Sequence, residues 1–339
     1  MTLTEDRRDI RRLLIRAPNW LGDAVMALPA CGAVRNAFPD ATITIAATDA
    51  IAPMFEEETS AHADALLTLV NSRGEWRQLA AGAFDAVLLL PNSFRAAWNA
   101  RRARIRERWG YAGRLRSRLL TRRVSKPRAR VHQSAYYLEL VRGLRIEGVG
   151  SAPSVTPRPV TLNRARHLLA QYLTQGPLVG IAPGAAYGHA KRWPPARMAE
   201  LAVRLARERG VTCVLVGAAG DRDAGRELES ALPGNVRIVN LIGRTDLRLL
   251  IGVLAHLHAF VSNDSGAMHL AAAAGLPVTA IFGPTDERVT APLGDHEVLV
   301  HEVFCRPCML RDCPIDHRCM RGISVDAVFH SVSHRVERR

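Results

Sequence analysis

Residues 260–286 of the chain, FVSNDSGAMHLAAAAGLPVTAIFGPTD, decide its fold class. Apolar runs predict buried strands over Ala259–Ser262 and Val278–Phe282, and the alanine-rich segment between them predicts a helix over Gly266–Ala274. The small side chains of this helix would let it pack closely against a sheet. A strand, a helix and a further strand in this order form the unit from which parallel sheets are built, so we expect an α/β protein.

The same alternation of strands and helices runs through both halves of the chain, over residues 13–90 and again over 178–282. Between the halves, the stretch SAPSVTPRP at residues 151–159 holds three prolines and is typical of a linker. A chain of 339 residues is also longer than one hydrophobic core usually serves. We therefore expect two doubly wound domains, each a parallel sheet covered by helices. The predicted segments are residues 1–160, residues 161–322 and a C-terminal helix over 323–339.

The composition is that of a soluble globular protein, with 48% hydrophobic and 23% charged residues. No apolar run reaches the roughly 18 residues that a membrane-spanning helix needs. The charged N-terminus has no signal-peptide core behind it. These features predict a cytoplasmic protein.

The formal net charge is +14, and the positive charge is concentrated in one stretch. Residues 95–130 hold thirteen arginines and Lys126 against one acid, Glu107. One interpretation is a solvated basic face, and the other is a surface for an anionic partner, namely nucleic acid, an anionic membrane or a phosphorylated lipid. Aromatic side chains in the stretch would suit RNA stacking or a membrane interface. They are Trp98, Trp109 and Tyr111.

The first strand-to-helix turn, within APNWLGDAVMALPA at residues 17–30, lacks the several glycines of a phosphate-binding turn. It has one glycine, Gly22, followed by the carboxylate of Asp23. A negative charge at this place would repel a phosphate. The turn therefore predicts a role for Asp23 other than anion binding.

In the second half, three loops at strand ends carry candidate ligand-binding residues. The sequence NDSG at 263–266 leads into a helix whose free N–H groups can bind an anion, although ordinary helix capping accounts for the same residues. The loop PGAA at 183–186 is followed by Lys191, one of only two lysines in the chain, which suits a phosphate contact. In a third loop, Asp221 suits either a ribose hydroxyl or the dipole of the next helix. The chain has no GxxxxGK[ST] motif, which disfavours ATP hydrolysis by a P-loop.

The six cysteines form two groups. Cys31 and Cys213 lie in apolar segments and are expected in the core. The other four suit either a structural zinc or iron–sulfur site or a set of reduced thiols, because stable disulfides are uncommon in the cytosol. These four are Cys305, Cys308, Cys313 and Cys319.

Three motifs in this order, PNWLGDAVMALP, PGAAYGHAKRWP and SNDSGAMHLAAAAGLPVTAIFGPTD, resemble the ADP-heptose:lipopolysaccharide heptosyltransferases of glycosyltransferase family 9. The NWLGD form and the late cysteine cluster are most similar to the heptosyltransferase II branch. The resemblance implies two Rossmann-like doubly wound domains facing a central cleft, which is the GT-B arrangement. It also implies ADP-L-glycero-D-manno-heptose as donor, held mainly by the C-terminal domain, and inversion at the anomeric carbon. The implied acceptor is the inner-core heptose of heptosyl-Kdo2-lipid A, approaching from the N-terminal domain.

The resemblance further implies roles for single residues. Asp23 would be the catalytic base, Lys191 would neutralise the donor diphosphate, and Asp264 would contact the donor heptose. Other substrate-binding positions are assigned to Asn19, Gly22, Gly184, Ala185, Asp221, Ser265, Gly266 and His269. As a lone helix histidine, His269 is also typical of an ordinary packing residue.

No cofactor is expected to be required. An Asp-x-Asp sequence occurs only at residues 221–223, and a lysine with a helix N-terminus can stabilise a departing diphosphate without a metal. The sequence therefore predicts catalysis that is independent of divalent metal.

A lipid A acceptor would also give the basic stretch a partner, because its phosphates and carboxylates lie at the cytoplasmic leaflet and arginine binds such groups well. We expect peripheral association with the inner membrane and no nucleic-acid partner. The arginines assigned to this surface are Arg95, Arg101, Arg102, Arg122 and Arg123. The alternatives are heptosyltransferase I or another core heptosyltransferase and, from a different class, a basic nucleic-acid-binding α/β protein.

Overall fold

Two parallel sheets of six strands form the framework of the chain. They are seen in a computed structural model that describes residues 9–70, 73–146, 150–173, 176–186, 188–234, 236 and 238–337. The chain divides into two compact units, Met1–Val155 and Thr156–Arg339, close to the proline-containing linker. The predicted α/β class is confirmed, with one doubly wound sheet in each unit.

The first unit is built from seven strands and five helices of the described residues, with β8 at its junction to the second unit. In chain order these are β1 (Arg12–Arg16), α1 (Leu21–Ala37), β2 (Thr42–Thr48), α2 (Ala52–Phe55), β3 (Glu58–Thr59), β4 (Ala65–Leu69), α3 (Glu75–Ala81), β5 (Ala86–Leu89), α4 (Phe94–Arg102), β6 (Glu107–Tyr111), β7 (Arg122–Val124), α5 (Gln133–Gly143) and β8 (Val155–Thr156). A 3₁₀ turn covers Arg114–Leu119. The short strands β3 and β8 pair with each other, and the other strands form the six-stranded sheet.

The second unit repeats this plan. In chain order its elements are α6 (Pro159–Leu169), β9 (Leu178–Ala182), α7 (Pro195–Arg209), β10 (Thr212–Leu215), α8 (Arg222–Ser230), β11 (Ile238–Asn240), α9 (Leu247–Leu254), β12 (Ala259–Asn263), α10 (Gly266–Ala273), β13 (Val278–Phe282), α11 (Glu287–Thr290), β14 (His296–Val300), α12 (Arg318–Arg321) and α13 (Val325–Glu337). The terminal helix α13 packs on α7 and on strands β12, β13 and β14, so it belongs to the second unit.

Both sheets have the strand order of the Rossmann fold. The first runs β4-β2-β1-β5-β6-β7 and the second runs β11-β10-β9-β12-β13-β14, so each reads 3-2-1-4-5-6 when its strands are counted along the chain. All the strand pairs in them are parallel, and in the first sheet Ile15 lies opposite both Ile45 and Leu88. Such a sheet is buried on both faces, which explains why its central strands are continuous apolar runs.

Three strands of the two six-stranded sheets have no counterpart in the apolar pattern of the sequence. Strands β6 and β7 lie inside the basic stretch 95–130, where arginines interrupt the hydrophobic alternation, and β14 is an edge strand of partly exposed residues. The stretch is therefore not a single solvated face, because part of it is folded into the sheet. Trp109 and Tyr111 of β6 are fully buried, so the prediction that they are surface aromatics is wrong.

Helix α1 shows how the fold presents the first candidate site. Its residues from Ala24 to Val34 are buried, whereas the first turn, with Gly22 and Asp23, is only half-buried. Because the helix follows β1 directly, this first turn lies at the carboxyl edge of the first sheet. An acidic residue in the first turn is also favoured by the helix dipole.

Candidate active site

The candidate residues cluster where the strand order of each sheet reverses. In a doubly wound sheet the loops after the first and fourth strands diverge at this point and leave a crevice at the carboxyl edge, where ligands bind. In the first sheet these loops follow β1 and β5, and in the second sheet they follow β9 and β12. Asp23 lies after β1, Gly184 and Ala185 after β9, and Asp264 after β12.

In the second unit, Lys191 and Asp264 form a buried ion pair. The Lys191 Nζ lies 2.6 Å from Asp264 Oδ2, and the two side chains are 11% and 7% exposed. The hydroxyl of Thr285, in the loop after β13, donates to the same carboxylate oxygen at 2.7 Å. Three loops that are separated in sequence therefore meet at one carboxylate. Thr285 belongs to this site although it was not among the predicted site residues.

Asn263 ties the same loops together through the backbone. Its amide nitrogen donates to the carbonyl oxygens of Pro183 at 2.9 Å and Gly184 at 3.3 Å. Its amide oxygen accepts from the backbone N–H of Trp193 at 3.0 Å. Because Asn263 is fully buried, these bonds hold the PGAA loop and the segment after Lys191 in fixed positions against β12.

Gly184 is required by the close approach of Asp221. A Cβ atom at Gly184 would lie 1.9 Å from Asp221 Oδ1, so any side chain there would displace the carboxylate. Asp221 also accepts from the backbone N–H of Ala218 at 3.0 Å, so its carboxylate is bonded within its own turn. The structure thus brings the two predicted positions together and leaves a ribose contact by Asp221 as a prediction.

The helix after Asp264 begins in the expected way. Ser265 caps α10 by accepting from the backbone N–H of Met268 at 3.4 Å, and it contacts the hydroxyl of Ser262 at 2.9 Å. Gly266 is the first residue of the helix. His269 is buried within α10, as expected of a packing residue.

The segment that carries the last four cysteines braces two of these loops. The backbone N–H of Ala190 donates to Arg311 O at 2.9 Å, and that of Met309 donates to Pro284 O at 2.8 Å. Ala190 adjoins Lys191, and Pro284 adjoins Thr285. The segment Cys305–Cys319 therefore supports the loops that carry two partners of Asp264.

The cysteines themselves form no disulfide, and all six are free. Within the described ranges, no three His, Cys, Asp or Glu side chains are arranged to hold a metal ion, so the interpretation of Cys305, Cys308, Cys313 and Cys319 as a zinc or iron–sulfur site is not supported. Cys31 and Cys213 are fully buried, and burial raises the pKa of each thiol to about 12. Their prediction as core residues is confirmed.

In the first unit, Asp23 has one hydrogen-bonding partner among the described side chains. The hydroxyl of Tyr137, on α5, donates to Asp23 Oδ1 at 3.3 Å. Burial raises the pKa of Asp23, and the bond from Tyr137 offsets part of that rise. A carboxyl group with a raised pKa is a better proton acceptor when it is ionised, which suits a general base.

The turn before Asp23 is held by a buried cation. Arg16, at the end of β1, forms an ion pair with Glu75 at 3.0 Å, and its guanidinium donates to Asn19 Oδ1 at 2.9 Å. Both charged side chains are buried. The Asn19 side chain is thus held by the Arg16 guanidinium, while Trp20 beside it is exposed.

The arginines assigned to the anionic surface differ in their environment. Arg95, Arg101, Arg102 and Arg123 are exposed, but Arg122 is partly buried in an ion pair with Glu107 at 3.1 Å. The exposed Trp98 stacks on Phe94 of the same helix, with ring centroids 6.2 Å apart. In the described part of the chain, no helix combines the length and the apolar character needed to cross a bilayer.

Arg116 is a buried cation that the sequence does not distinguish from its neighbours. Its side chain is almost fully buried, and its Nη1 donates to Asn92 Oδ1 at 3.1 Å. Its Nε and Nη2 atoms are buried without a hydrogen-bond partner among the described residues, and burial lowers its pKa. Gly110 makes room for the guanidinium, since a Cβ there would lie 2.7 Å from Nη2. A buried cation that lacks a counter-ion is costly, so an anionic ligand is the natural partner.

Comparison with known proteins places this arrangement in a family. The model of glycosyltransferase family 9 (heptosyltransferase) matches residues 73–318. The chain is 32% identical over 304 residues to lipopolysaccharide heptosyltransferase 2 of Salmonella typhimurium, covering 83% of this chain and 85% of that one. The chain belongs to glycosyltransferase family 9. It is also 30% identical over 309 residues to lipooligosaccharide heptosyltransferase 2 of Haemophilus ducreyi, covering 85% and 88% of the two chains.

A solved structure shows the same fold for a heptosyltransferase. The structure of E. coli ADP-heptose lps heptosyltransferase II matches with a TM-score of 0.83 and 26% identity, over 96% of this chain and 99% of that chain. The predicted GT-B fold class is confirmed by this match. As a member of family 9 the chain is a glycosyltransferase, and the alternative of a nucleic-acid-binding protein has no support.

Proposed function

We propose that the chain transfers L-glycero-D-manno-heptose from ADP-heptose to the inner-core heptose of heptosyl-Kdo2-lipid A, with inversion at the anomeric carbon. The names of the relatives support the reaction class, since they are heptosyltransferases 2 of lipopolysaccharide or lipooligosaccharide. The observation that carries the proposal is the buried Lys191–Asp264 pair at the switch point of the second sheet, together with the half-buried Asp23 at that of the first.

In this proposal the second unit binds the donor. Lys191 and the N–H groups at the start of α10, beside Ser265 and Gly266, hold the diphosphate. Asp264 contacts the heptose. The remaining donor positions are assigned to Gly184, Ala185, Asp221 and His269. The Lys191 ammonium has three donors, so it can keep its bond to Asp264 while it binds a phosphate oxygen.

The first unit binds the acceptor and supplies the base. The acceptor hydroxyl oxygen attacks the anomeric carbon of the donor as Asp23 takes the hydroxyl proton. The bond between that carbon and the diphosphate oxygen breaks, its electron pair stays with ADP, and Lys191 stabilises the charge that develops there. General-base assistance of this kind contributes roughly 10²–10⁴-fold to the rate. Asn19 and Gly22 line the approach to Asp23.

Arg116 supports an anionic acceptor. A carboxylate or phosphate of the acceptor would supply the two hydrogen-bond acceptors that its Nε and Nη2 lack among the described residues. Tyr136 links this cation to the neighbourhood of Asp23, because its hydroxyl accepts from Asn92 Nδ2 at 2.8 Å and its ring lies 5.9 Å from that of Tyr137.

The exposed arginines and aromatic residues of α4 support peripheral association with the cytoplasmic face of the inner membrane. Trp98 provides an amphipathic ring of the kind found at membrane interfaces, and Phe94 beside it adds an exposed apolar ring. Arg95, Arg101 and Arg102 flank them with positive charge. The cytoplasmic leaflet carries anionic lipids, so the attraction is electrostatic. The acceptor, a glycolipid, is anchored in the same surface.

The acceptor distinguishes the proposed activity from that of heptosyltransferase I or another core enzyme. Purified protein is incubated with ADP-heptose and, in separate reactions, with Kdo2-lipid A, heptosyl-Kdo2-lipid A and the acceptor that already carries a second heptose. We expect turnover of heptosyl-Kdo2-lipid A alone. Turnover of Kdo2-lipid A instead would assign the chain to the first heptose transfer, and turnover of the third acceptor alone would assign it to a later one.

A further inference from the structure

We propose that Tyr137 is a positioning residue for Asp23: its hydroxyl holds Oδ1 and leaves Oδ2 to accept the proton of the acceptor hydroxyl. The proposal rests on the proposed function, in which Asp23 is the base. Tyr137 lies on α5, a helix for which the sequence predicts no site residue. Tyr137 lies 114 positions from Asp23 in the chain and reaches it across the packed surfaces of α1 and α5.

The placement of Tyr137 is rigid. Its side chain is only 4% exposed, and its ring meets that of Tyr136 edge to face at an interplanar angle of 75°. The side chain of Gln133, one helical turn earlier, also interacts with the Tyr137 hydroxyl and lowers its pKa, although burial raises that pKa by more. The hydroxyl donates its proton to Asp23 Oδ1 at 3.3 Å.

This arrangement leaves the two carboxylate oxygens of Asp23 unequal. Oδ1 accepts the bond from Tyr137, and within the residues that the structure describes no side chain or backbone group hydrogen-bonds Oδ2. The terminal torsion of an aspartate is broad and roughly two-fold when unrestrained, so one fixed oxygen orients the other. A base whose free oxygen is already oriented loses less freedom when the acceptor binds.

The same bond favours the ionised form of Asp23. Burial raises the pKa of Asp23, and the Tyr137 hydroxyl is the side-chain group that lowers it. Other titratable groups lie behind Tyr137: Tyr136 on the same helix, and Arg116, whose charge acts on Tyr136. Burial also raises the pKa of Tyr137 far above its ordinary value, so it remains a neutral donor across the working range.

Removing the hydroxyl therefore has a defined sign. In Tyr137→Phe the burial of Asp23 is no longer opposed, its pKa rises further, and a higher pH is needed to ionise it. We expect the acid limb of the kcat–pH profile to move upward by about one pH unit, as expected for loss of one hydrogen bond to a charged group. Below that limb kcat falls roughly tenfold, above it most of the activity returns, and the KM for ADP-heptose stays the same.

The matched control is Tyr111→Phe. Tyr111 is also a buried tyrosine of the first unit, but its hydroxyl donates to the carbonyl oxygen of Tyr136 and does not reach Asp23. We expect this variant to lose stability without a shift of the acid limb. Gln133→Ala keeps the Tyr137 ring and removes only a side chain that interacts with its hydroxyl, so it should move the limb in the same direction by a smaller amount.

The outcomes separate this inference from the proposed function. An unshifted acid limb in both Tyr137→Phe and Gln133→Ala, with Asp23→Asn inactive, would overturn the role of Tyr137 while Asp23 remains the base. Full activity of Asp23→Asn would overturn the proposed base itself. Thermal unfolding of each variant is measured alongside, and if Tyr137→Phe does not fold, the limb position in Gln133→Ala decides.

Discussion

The two sheets have the same strand order, yet the charged side chains near the point where that order reverses are paired in one unit and not in the other. In the second unit the lysine and the aspartate neutralise each other at 2.6 Å, and Thr285 satisfies the same carboxylate. In the first unit Asp23 has a tyrosine hydroxyl as its partner, and Arg116 is buried with two nitrogen atoms unpartnered among the described residues. The strand order produces a crevice in both units. The loop residues determine whether the charges at that crevice are already paired in the unliganded protein.

This difference predicts different consequences of mutation. Breaking a completed ion pair costs stability, because removal of one partner leaves a buried charge uncompensated. An unpaired buried charge favours ligand binding instead. Its removal does not lower the stability of the unliganded protein, because no partner is left uncompensated. The same type of substitution should therefore cost stability in the second unit and spare it in the first.

The largest combined effect on activity and stability is expected at Lys191. Lys191→Met should lower kcat/KM roughly 10²–10³-fold, because the charge that stabilises the leaving diphosphate is lost. It should also lower the free energy of unfolding by about 3 kcal/mol, since Asp264 stays buried without its cation. Steady-state kinetics and chemical denaturation measure the two effects.

The double variant Lys191→Met with Asp264→Asn sharpens this test, because it removes both charges. It should regain most of the stability and none of the activity. Lys126→Met, at the other lysine of the chain, which is exposed, is the control and should change neither stability nor activity. Unchanged stability in Lys191→Met would contradict a structural role of the pair.

A smaller effect, with the opposite pattern, is expected at Arg116. Arg116→Met should raise the KM for the acceptor roughly 10–100-fold, as expected for the loss of hydrogen bonds to a charged group. The KM for ADP-heptose should stay the same, and the thermal midpoint should not fall, because the described residues offer this buried cation no counter-ion that would be left unpaired. Arg118→Met, in the same 3₁₀ turn but exposed, is the matched control. A destabilised Arg116→Met with an unchanged acceptor KM would make Arg116 a structural residue.

Membrane association is expected to respond more weakly. Each arginine near an anionic surface contributes about 1 kcal/mol, so Arg101→Ala should weaken binding to phosphatidylglycerol-containing vesicles by roughly fivefold at low salt. Trp98→Ala should weaken it further through loss of the interfacial ring. Arg207→Ala, an exposed arginine of α7, should leave vesicle binding unchanged. Equal binding of the unmodified protein to neutral and anionic vesicles would contradict the proposed surface.

No effect is expected from metal removal. EDTA should leave the transfer rate unchanged, because Lys191 and the start of α10 stabilise the diphosphate in the proposed mechanism. Elemental analysis of protein purified without chelator tests the thiols of Cys305–Cys319 at the same time. Activity lost to EDTA and restored by Mg²⁺ would contradict the mechanism.

The sequence predicts the second unit better than the first. Strands β9, β10, β12 and β13 are short apolar runs bounded by glycine, proline or asparagine, and the helices between them are well separated. In the first unit, β6 and β7 contain arginines and follow no apolar period, so the strand signal is absent although the sheet is formed. Their burial comes from tertiary packing, which local pattern does not report.

The sequence predicts which residues belong to the candidate site, but it does not predict the contacts between them. Motif resemblance selected Asp23, Lys191 and Asp264, each beside a strand end. It did not select Thr285, whose bond to Asp264 joins loops after different strands, nor Tyr137, which lies on another helix. Arg116 is one of thirteen arginines in its stretch, and only its burial sets it apart.

The central claim is that the half-buried carboxylate of the first unit performs the chemistry while the paired charges of the second unit hold the donor. Asp23→Asn tests it most directly, measured by single-turnover transfer of heptose from ADP-heptose to heptosyl-Kdo2-lipid A, with donor affinity measured separately. We predict a rate lowered by roughly 10²–10⁴-fold with unchanged affinity for ADP-heptose and an unchanged unfolding midpoint. A rate within a factor of a few of the unmodified protein would show that Asp23 is not the base.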